Sequence, residues 1–216
     1  MSDDDLRRNV SDELDWEPRV HSEEIAVAAA DGVITLRGTV GSLREKREAK
    51  NAAERVYGVK HVDNKLDVRL MGNDGREDAA LRGDVLQALM LDSLVPSTIE
   101  AAAEDGYIRL SGTAEWGYQR HEAEFVAGNV RGVVDVWNDV EVLGAEPSGD
   151  EVEHGISDAF KRNAKLDAKD LHVKTEGRTV TLEGTVRSWA EHDEAVEAAW
   201  AAPGVQQVKD KILVAY

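Results

Sequence analysis

Three observations predict an α+β fold built from three tandem copies of one unit. A Gly-Thr signature recurs in DGVITLRGTV, EDGYIRLSGTA and EGRTVTLEGTV, placing its glycine at Gly38, Gly112 and Gly184. A second glycine, always followed by valine, comes twenty residues later at Gly58, Gly132 and Gly204, so both marks keep spacings of 74 and then 72 residues. Around these marks the apolar residues change from a helical period to an alternating one and back, in the same order each time. Independent landmarks in one register define a repeat array. The predicted units are residues 1–71, 72–147 and 148–216.

Each unit opens with an amphipathic helix. Leu6, Val10 and Leu14 correspond to Leu81, Val85 and Leu89, then to Val152, Ile156 and Phe160, and a spacing of four puts each trio on one helix face. A strand follows, with Ile25 and Val27, Ile99 and Ala101, or Leu171 and Val173 on its inner side. It enters a hairpin at Asp31-Gly32, Asp105-Gly106 or Glu176-Gly177, where glycine supplies the positive φ of a tight turn. The returning strand points Ile34 and Leu36, Ile108 and Leu110, or Val180 and Leu182 inward, while Thr35, Arg37, Arg109, Thr181 and Glu183 take the wet face. A second helix, capped by Ser42 or Ser188, carries a small-residue face of Ala49, Ala53 and Val56, Ala123, Ala127 and Val130, or Ala195, Ala199 and Ala202. Gly58, Gly132 and Gly204 are placed just past its end, as left-handed caps. A last strand holds Leu66 and Val68, Val140 and Val142, or Ile212 and Val214. The order helix, strand, strand, helix, strand, with a right-handed crossover, predicts both helices on one face of a three-stranded mixed sheet that follows chain order.

About seventy residues bury only a small core, so contacts between units should matter. The joints are the polar stretches Met71 to Glu77 and Gly144 to Asp150. The net charge is −17. It divides as −3 (15 acidic, 12 basic), −10 (15 acidic, 5 basic) and −4 (13 acidic, 9 basic) over the three units. Such a surface excludes nucleic acid as a partner. The chain has no cysteine, so disulfides, thiolate metal sites and cysteine nucleophiles are excluded. The acidic start MSDDDLRRNV has no apolar run, and with no membrane-length stretch this predicts a cytoplasmic location.

The landmarks resemble those of the BON domain. The resemblance rests on the hairpin into the Gly-Thr signature (Gly38, Gly112, Gly184), on Gly58-Val59, Gly132-Val133 and Gly204-Val205, and on a closing strand with Val62, Asn64 and Leu66, Val136, Asn138 and Val140, or Val208, Asp210 and Ile212. It implies a non-enzymatic binding module. Members of the family are linked to phospholipid membranes, to envelope or osmotic stress, to chaperone-like contacts and, in one cytoplasmic case, to potassium.

The residues themselves give no catalytic, metal or cofactor site. The six histidines are scattered, and Glu191-His192-Asp193-Glu194 lacks the second histidine of the helical metalloprotease motif. No phosphate loop or nucleophile elbow occurs. The signature glycines serve close backbone approach. Two features remain as contact candidates. Trp116 and Trp189 start the second helix in units two and three, and are read first as packing between units and second as partner or membrane anchors. Arg44, Lys46, Arg47 and Lys50 make that helix basic in unit one, with Arg44 and Lys50 spaced to pair with Glu48 and Glu54. Any surface that meets anionic lipid should be this one. Trp16, Trp137 and Trp200 are read as packing residues. The sequence therefore predicts a binding or scaffolding protein that engages protein partners or membrane surfaces peripherally. The alternative is a sensor of potassium or another small ligand.

Overall fold

A computed structural model describes residues 2–70, 77–143 and 149–215, so most of both joints lies outside the described residues. The first helices are α1 (Asp3–Trp16), α3 (Asp78–Leu91) and α5 (Gly149–Arg162), and each buries its predicted trio. Ser2 caps α1 reciprocally: its Oγ accepts from the Asp5 N–H while the Asp5 carboxylate accepts from the Ser2 N–H. Asp3, Asp4 and Asp5 also set negative charge against the positive end of the helix dipole.

The strands of the first repeat are β1 (Ile25–Ala30), β2 (Val33–Val40) and β3 (His61–Val68), with α2 (Leu43–Glu54) between the last two. β2 pairs antiparallel with β1 and parallel with β3, so the sheet order follows the chain. The third repeat repeats this with β9 (Leu171–Glu176), β10 (Thr179–Val186), α6 (Trp189–Trp200) and β11 (Gln207–Val214). In the middle repeat the second and third strands are interrupted. β4 (Glu100–Glu104) and β5 (Tyr107–Ser111) are followed by β6 (Thr113–Ala114), α4 (Gly117–Gly128), β7 (Asp135–Asn138) and β8 (Glu141–Val142). The break falls at Gly112, and Asp139 N–H to Leu110 O and Glu141 N–H to Gly112 O carry the pairing across it. Each repeat closes its own core between helices and sheet, with Ile34 and Leu36, Ile108 and Leu110, or Val180 and Leu182 at its centre.

The signature glycine has a concrete cause. Gly38, Gly112 and Gly184 have φ of +131°, +110° and +139°, and a Cβ on them would lie 1.9, 2.1 and 2.0 Å from the carbonyl oxygens of Glu24, Thr98 and Asp170. The returning strand presses against the chain just ahead of the first strand, and only glycine fits.

Two local expectations need correction. The third hairpin turns on Gly177-Arg178 rather than Glu176-Gly177: Thr179 pairs with Glu176, and only Gly177 is left-handed (φ +59°). The first two turns hold both Asp and Gly left-handed, at +54° and +85°, then +51° and +83°. All three turns keep the same place ahead of the signature glycine; in the third the glycine takes the first turn position, where aspartate stands in the other two, and Arg178 in the second is not left-handed. Gly58, Gly132 and Gly204 are not helix caps either, since the caps are Arg55, Asn129 and Ala201. α2 already ends at Arg55 in a right-handed conformation. The glycine serves a separate turn closed by Val59 N–H to Val56 O, and by Val133 N–H to Val130 O.

Candidate interaction site

The second helices of the three repeats meet one another through equivalent positions. By the 74 and 72 spacing, Leu43, Gly117 and Trp189 correspond, as do Glu54, Gly128 and Trp200. Leu43 reaches the middle repeat, where a Cβ on Gly128 would lie 3.1 Å from its Cδ2. Gly117 faces the third repeat, where a Cβ would lie 2.7 Å from the Trp200 ring and 3.0 Å from Val205 O. Trp189 returns to the first repeat and donates from Nε1 to Val59 O at 2.9 Å. Val59 and Val205 are themselves equivalent. A head-to-tail contact that repeats and closes after three steps makes a pseudo-threefold ring. Bulk alternates around it: leucine on glycine, glycine on tryptophan, tryptophan on a backbone carbonyl.

Three of the six predicted contact residues, Arg47, Lys50 and Trp189, lie in this ring. The Arg47 guanidinium sits 5.2 Å over the Phe125 ring and donates to the Phe125 carbonyl at 3.4 Å. Lys50 Nζ lies 5.5 Å over the Trp189 ring and pairs with Glu54 at 2.8 Å. His121 packs edge-on to Trp200 at 4.2 Å, and burial pushes its pKa down, keeping it neutral. Glu48 pairs with Arg19 at 2.9 Å. Arg44 is exposed and Lys46 half-buried. Trp116 stands one position before the Trp189 equivalent, where the other repeats have their capping serine, and tilts against Tyr118, while Gln119 accepts from its N–H.

One substitution inside the repeats creates a titrating pair. Asn64 and Asn138 donate their amides to the helix carbonyls of Lys46 and Arg120, at 2.8 Å each. Asp210 replaces them in the third repeat and cannot donate; His192, at the position of Lys46 and Arg120, supplies the donor at 2.6 Å. Burial works against a charged His192, but its hydrogen bonds to Asp193 and Asp210 outweigh it and raise its pKa to about 9. A raised pKa means stability that is complete below the unfolded value of 6.5 and lost as pH rises through about 9. With the His192 side chain only 11% exposed, the effect is on the order of 2–3 kcal/mol. The melting temperature should therefore fall between pH 6.5 and 9, and His192→Gln should flatten that dependence. A profile that is the same in both proteins would refute the pairing.

Sequence reading missed an outward-facing aromatic stack. Trp137 is 48% exposed, not packed, and stacks on Tyr107 with centroids 5.2 Å apart and planes 16° apart. The Arg109 guanidinium lies 5.5 Å from the Trp137 ring and donates to Asp139 at 3.0 Å. All three sit on the wet sheet face, where Arg109 pairs with Trp137 across β5 and β7. The signal was present, because Val136 and Asn138 point inward and period-two alternation then puts Trp137 beside Arg109. The equivalent positions elsewhere are Val33 with Asp63 and Thr179 with Lys209. Trp16, also expected to pack, is 83% exposed because it ends α1 beyond the Leu14 contact. Trp200 does pack, against Gly117 and His121.

Among the described residues no group of three His, Asp or Glu side chains is placed to hold a metal ion, and no helix is long and apolar enough to cross a membrane. The BON domain profile matches residues 2–69, 77–144 and 148–216. Osmotically-inducible protein Y of Escherichia coli (strain K12) is 33% identical over 149 residues, 65% of this chain and 72% of that protein. Two solved structures concern CdsD, a structural protein of the type III secretion system of Chlamydia trachomatis. One is 16% identical with a TM-score of 0.28, over 98% of this chain and 92% of the other. The second, a C-terminal domain, is 15% identical with a TM-score of 0.28 and full coverage of both chains. At that TM-score neither likeness bears on this chain.

Proposed function

The chain belongs to the BON-domain family, and from that membership we propose that it is a non-catalytic, stress-related binding or scaffolding protein whose protein partners dock on the outer face of the middle repeat. The stress role rests on the osmotically-inducible relative. The docking face rests on the exposed stack of Tyr107 and Trp137 beside Arg109. Amphipathic rings and arginine are the side chains that dominate protein interfaces, and the other two repeats have no aromatic residue at those positions, with Val33 and Asp63 in one and Thr179 and Lys209 in the other. The ring turns the second helices inward, which leaves the sheet faces for partners.

Membrane contact on this reading is peripheral and weak. Each Lys or Arg held near an anionic bilayer contributes about 1 kcal/mol, but Arg47 and Lys50 are engaged between repeats and the net charge of −17 opposes approach. The test is affinity capture from osmotically stressed cells with the intact protein and with a Tyr107→Ala/Trp137→Ala variant, alongside sedimentation with phosphatidylglycerol vesicles. The variant should melt like the parent and lose its partners, and vesicle binding should be slight and abolished by salt. Unchanged capture by the variant, or strong salt-resistant sedimentation, would overturn the assignment.

A further inference from the structure

The rings on the outer sheet face of the middle repeat are set among carboxylates. In one cross-strand row Tyr107 stands between Glu104 on β4 and Asp135 on β7, and in the next Arg109 stands between Ala102 and Trp137. Glu100 lies opposite Ser111 beyond them, and Asp139 follows two residues after Trp137 on the same face. All of these side chains are exposed. Residues opposite one another across a sheet lie about 5 Å apart, so a group laid over Tyr107 has a carboxylate within reach on either side. Arg109 already holds Asp139 at 3.0 Å, whereas among the described residues no Lys or Arg forms an ion pair with Glu100 or Glu104. The equivalent rows of the first repeat keep the same register. There the positions of Glu100, Glu104, Asp135 and Asp139 are Ala26, Ala30, His61 and Lys65. In the third repeat they are His172, Glu176, Gln207 and Lys211, with Lys209 in place of Trp137. The fold therefore does not require acidic residues here. Like charges gathered on one sheet face repel, and a cationic occupant relieves that repulsion.

We propose that this face takes a lysine- or arginine-rich segment of a protein partner. Its aliphatic stems cross Tyr107 and Trp137, as long cationic side chains do on apolar surface, and its charged heads meet Glu100, Glu104 and Asp135. The rings add cation–π attraction, and the Arg109 guanidinium, 5.5 Å from the Trp137 ring, is an instance of it within the chain. The 15 acidic against 5 basic residues of the middle repeat draw such a segment from a distance. A second copy of this chain is a poor occupant, because its own charge of −17 repels the face. The inference rests on the docking face proposed above and adds the charge of what docks there.

Fluorescence anisotropy on the intact protein tests this, with a labelled peptide alternating lysine with threonine and its glutamate counterpart as probes. The lysine peptide should bind saturably and lose affinity as salt rises; the glutamate peptide should not bind. Glu100→Gln/Glu104→Gln changes exposed side chains only, so it should melt like the parent while weakening the lysine peptide about tenfold, as the loss of two exposed ion pairs does. Asp12→Asn/Asp15→Asn removes the same charge from the exposed side of α1 and should bind like the parent. That pair separates the face from the general pull of an acidic chain. No saturable binding of the lysine peptide, equal weakening by both variants, or no effect of Glu100→Gln/Glu104→Gln would overturn the basic partner. If capture from stressed cells still depended on Tyr107 and Trp137 in that event, the docking face would stand and only the charge assigned to its partner would fail.

Discussion

Leu110→Asp is expected to unfold the middle repeat. Leu110 is fully buried between the sheet and its two helices, and removing a core leucine alone costs about 2–5 kcal/mol. An aspartate there adds an unpaired buried charge, which a unit of this size cannot absorb when whole domains are stable by only about 5–15 kcal/mol. The damage should spread, since the middle repeat supplies Phe125 and Gly128 to its first neighbour and Gly117 and His121 to the other. The Trp189 contact to Val59 does not involve it. Thermal unfolding followed by circular dichroism should show an early transition, with amide spectra losing the middle-repeat signals first. Arg109→Asp, one residue away on the wet face, should leave the melt nearly unchanged. If the two variants exchanged behaviour, the strand register would be off by one, since a single-residue slip sends every side chain to the opposite face.

The contrast between Leu110 and Arg109 was legible without coordinates because alternation within a strand is a local property. The same holds for the helix trios, where a spacing of four puts Leu81, Val85 and Leu89 on one stripe and the structure buries all three. It held for the signature glycines in kind, though the atoms they approach, the carbonyls of Glu24, Thr98 and Asp170, became visible only in three dimensions. The ring was not legible. Its contacts use one position filled by leucine, glycine and tryptophan in turn, and complementary bulk across an interface leaves no repeated letter to read. The basic helix showed the same gap, because Arg47 and Lys50 look like a solvated face until Phe125 and Trp189 are seen beneath them. Trp137 was missed for a different reason: tryptophan's usual preference for packing was weighed above the strand's own alternation.

The same Gly-to-Ala change should have opposite signs at two positions. At Gly38 a methyl group would sit 1.9 Å from the Glu24 carbonyl oxygen, at a φ of +131° that side chains rarely adopt. The backbone conformation alone costs about 1–3 kcal/mol. Relieving the clash means moving β2 away from the residues ahead of β1, next to the Ile25 to Gly38 pairing. A loss of several kcal/mol is expected, enough to unfold the first repeat at moderate temperature. Gly83, inside α3, has nothing within 4 Å of its would-be Cβ. Alanine there adds no contact and removes the entropy penalty of glycine in a helix, so it should stabilise by about 0.5–1 kcal/mol. Urea unfolding of both variants separates the cases, Gly38→Ala moving the midpoint down and Gly83→Ala moving it up at unchanged slope. A Gly38→Ala midpoint within error of the parent would mean that the signature glycine is not held by this close approach. The physical reason given for its recurrence at Gly112 and Gly184 would then fail with it.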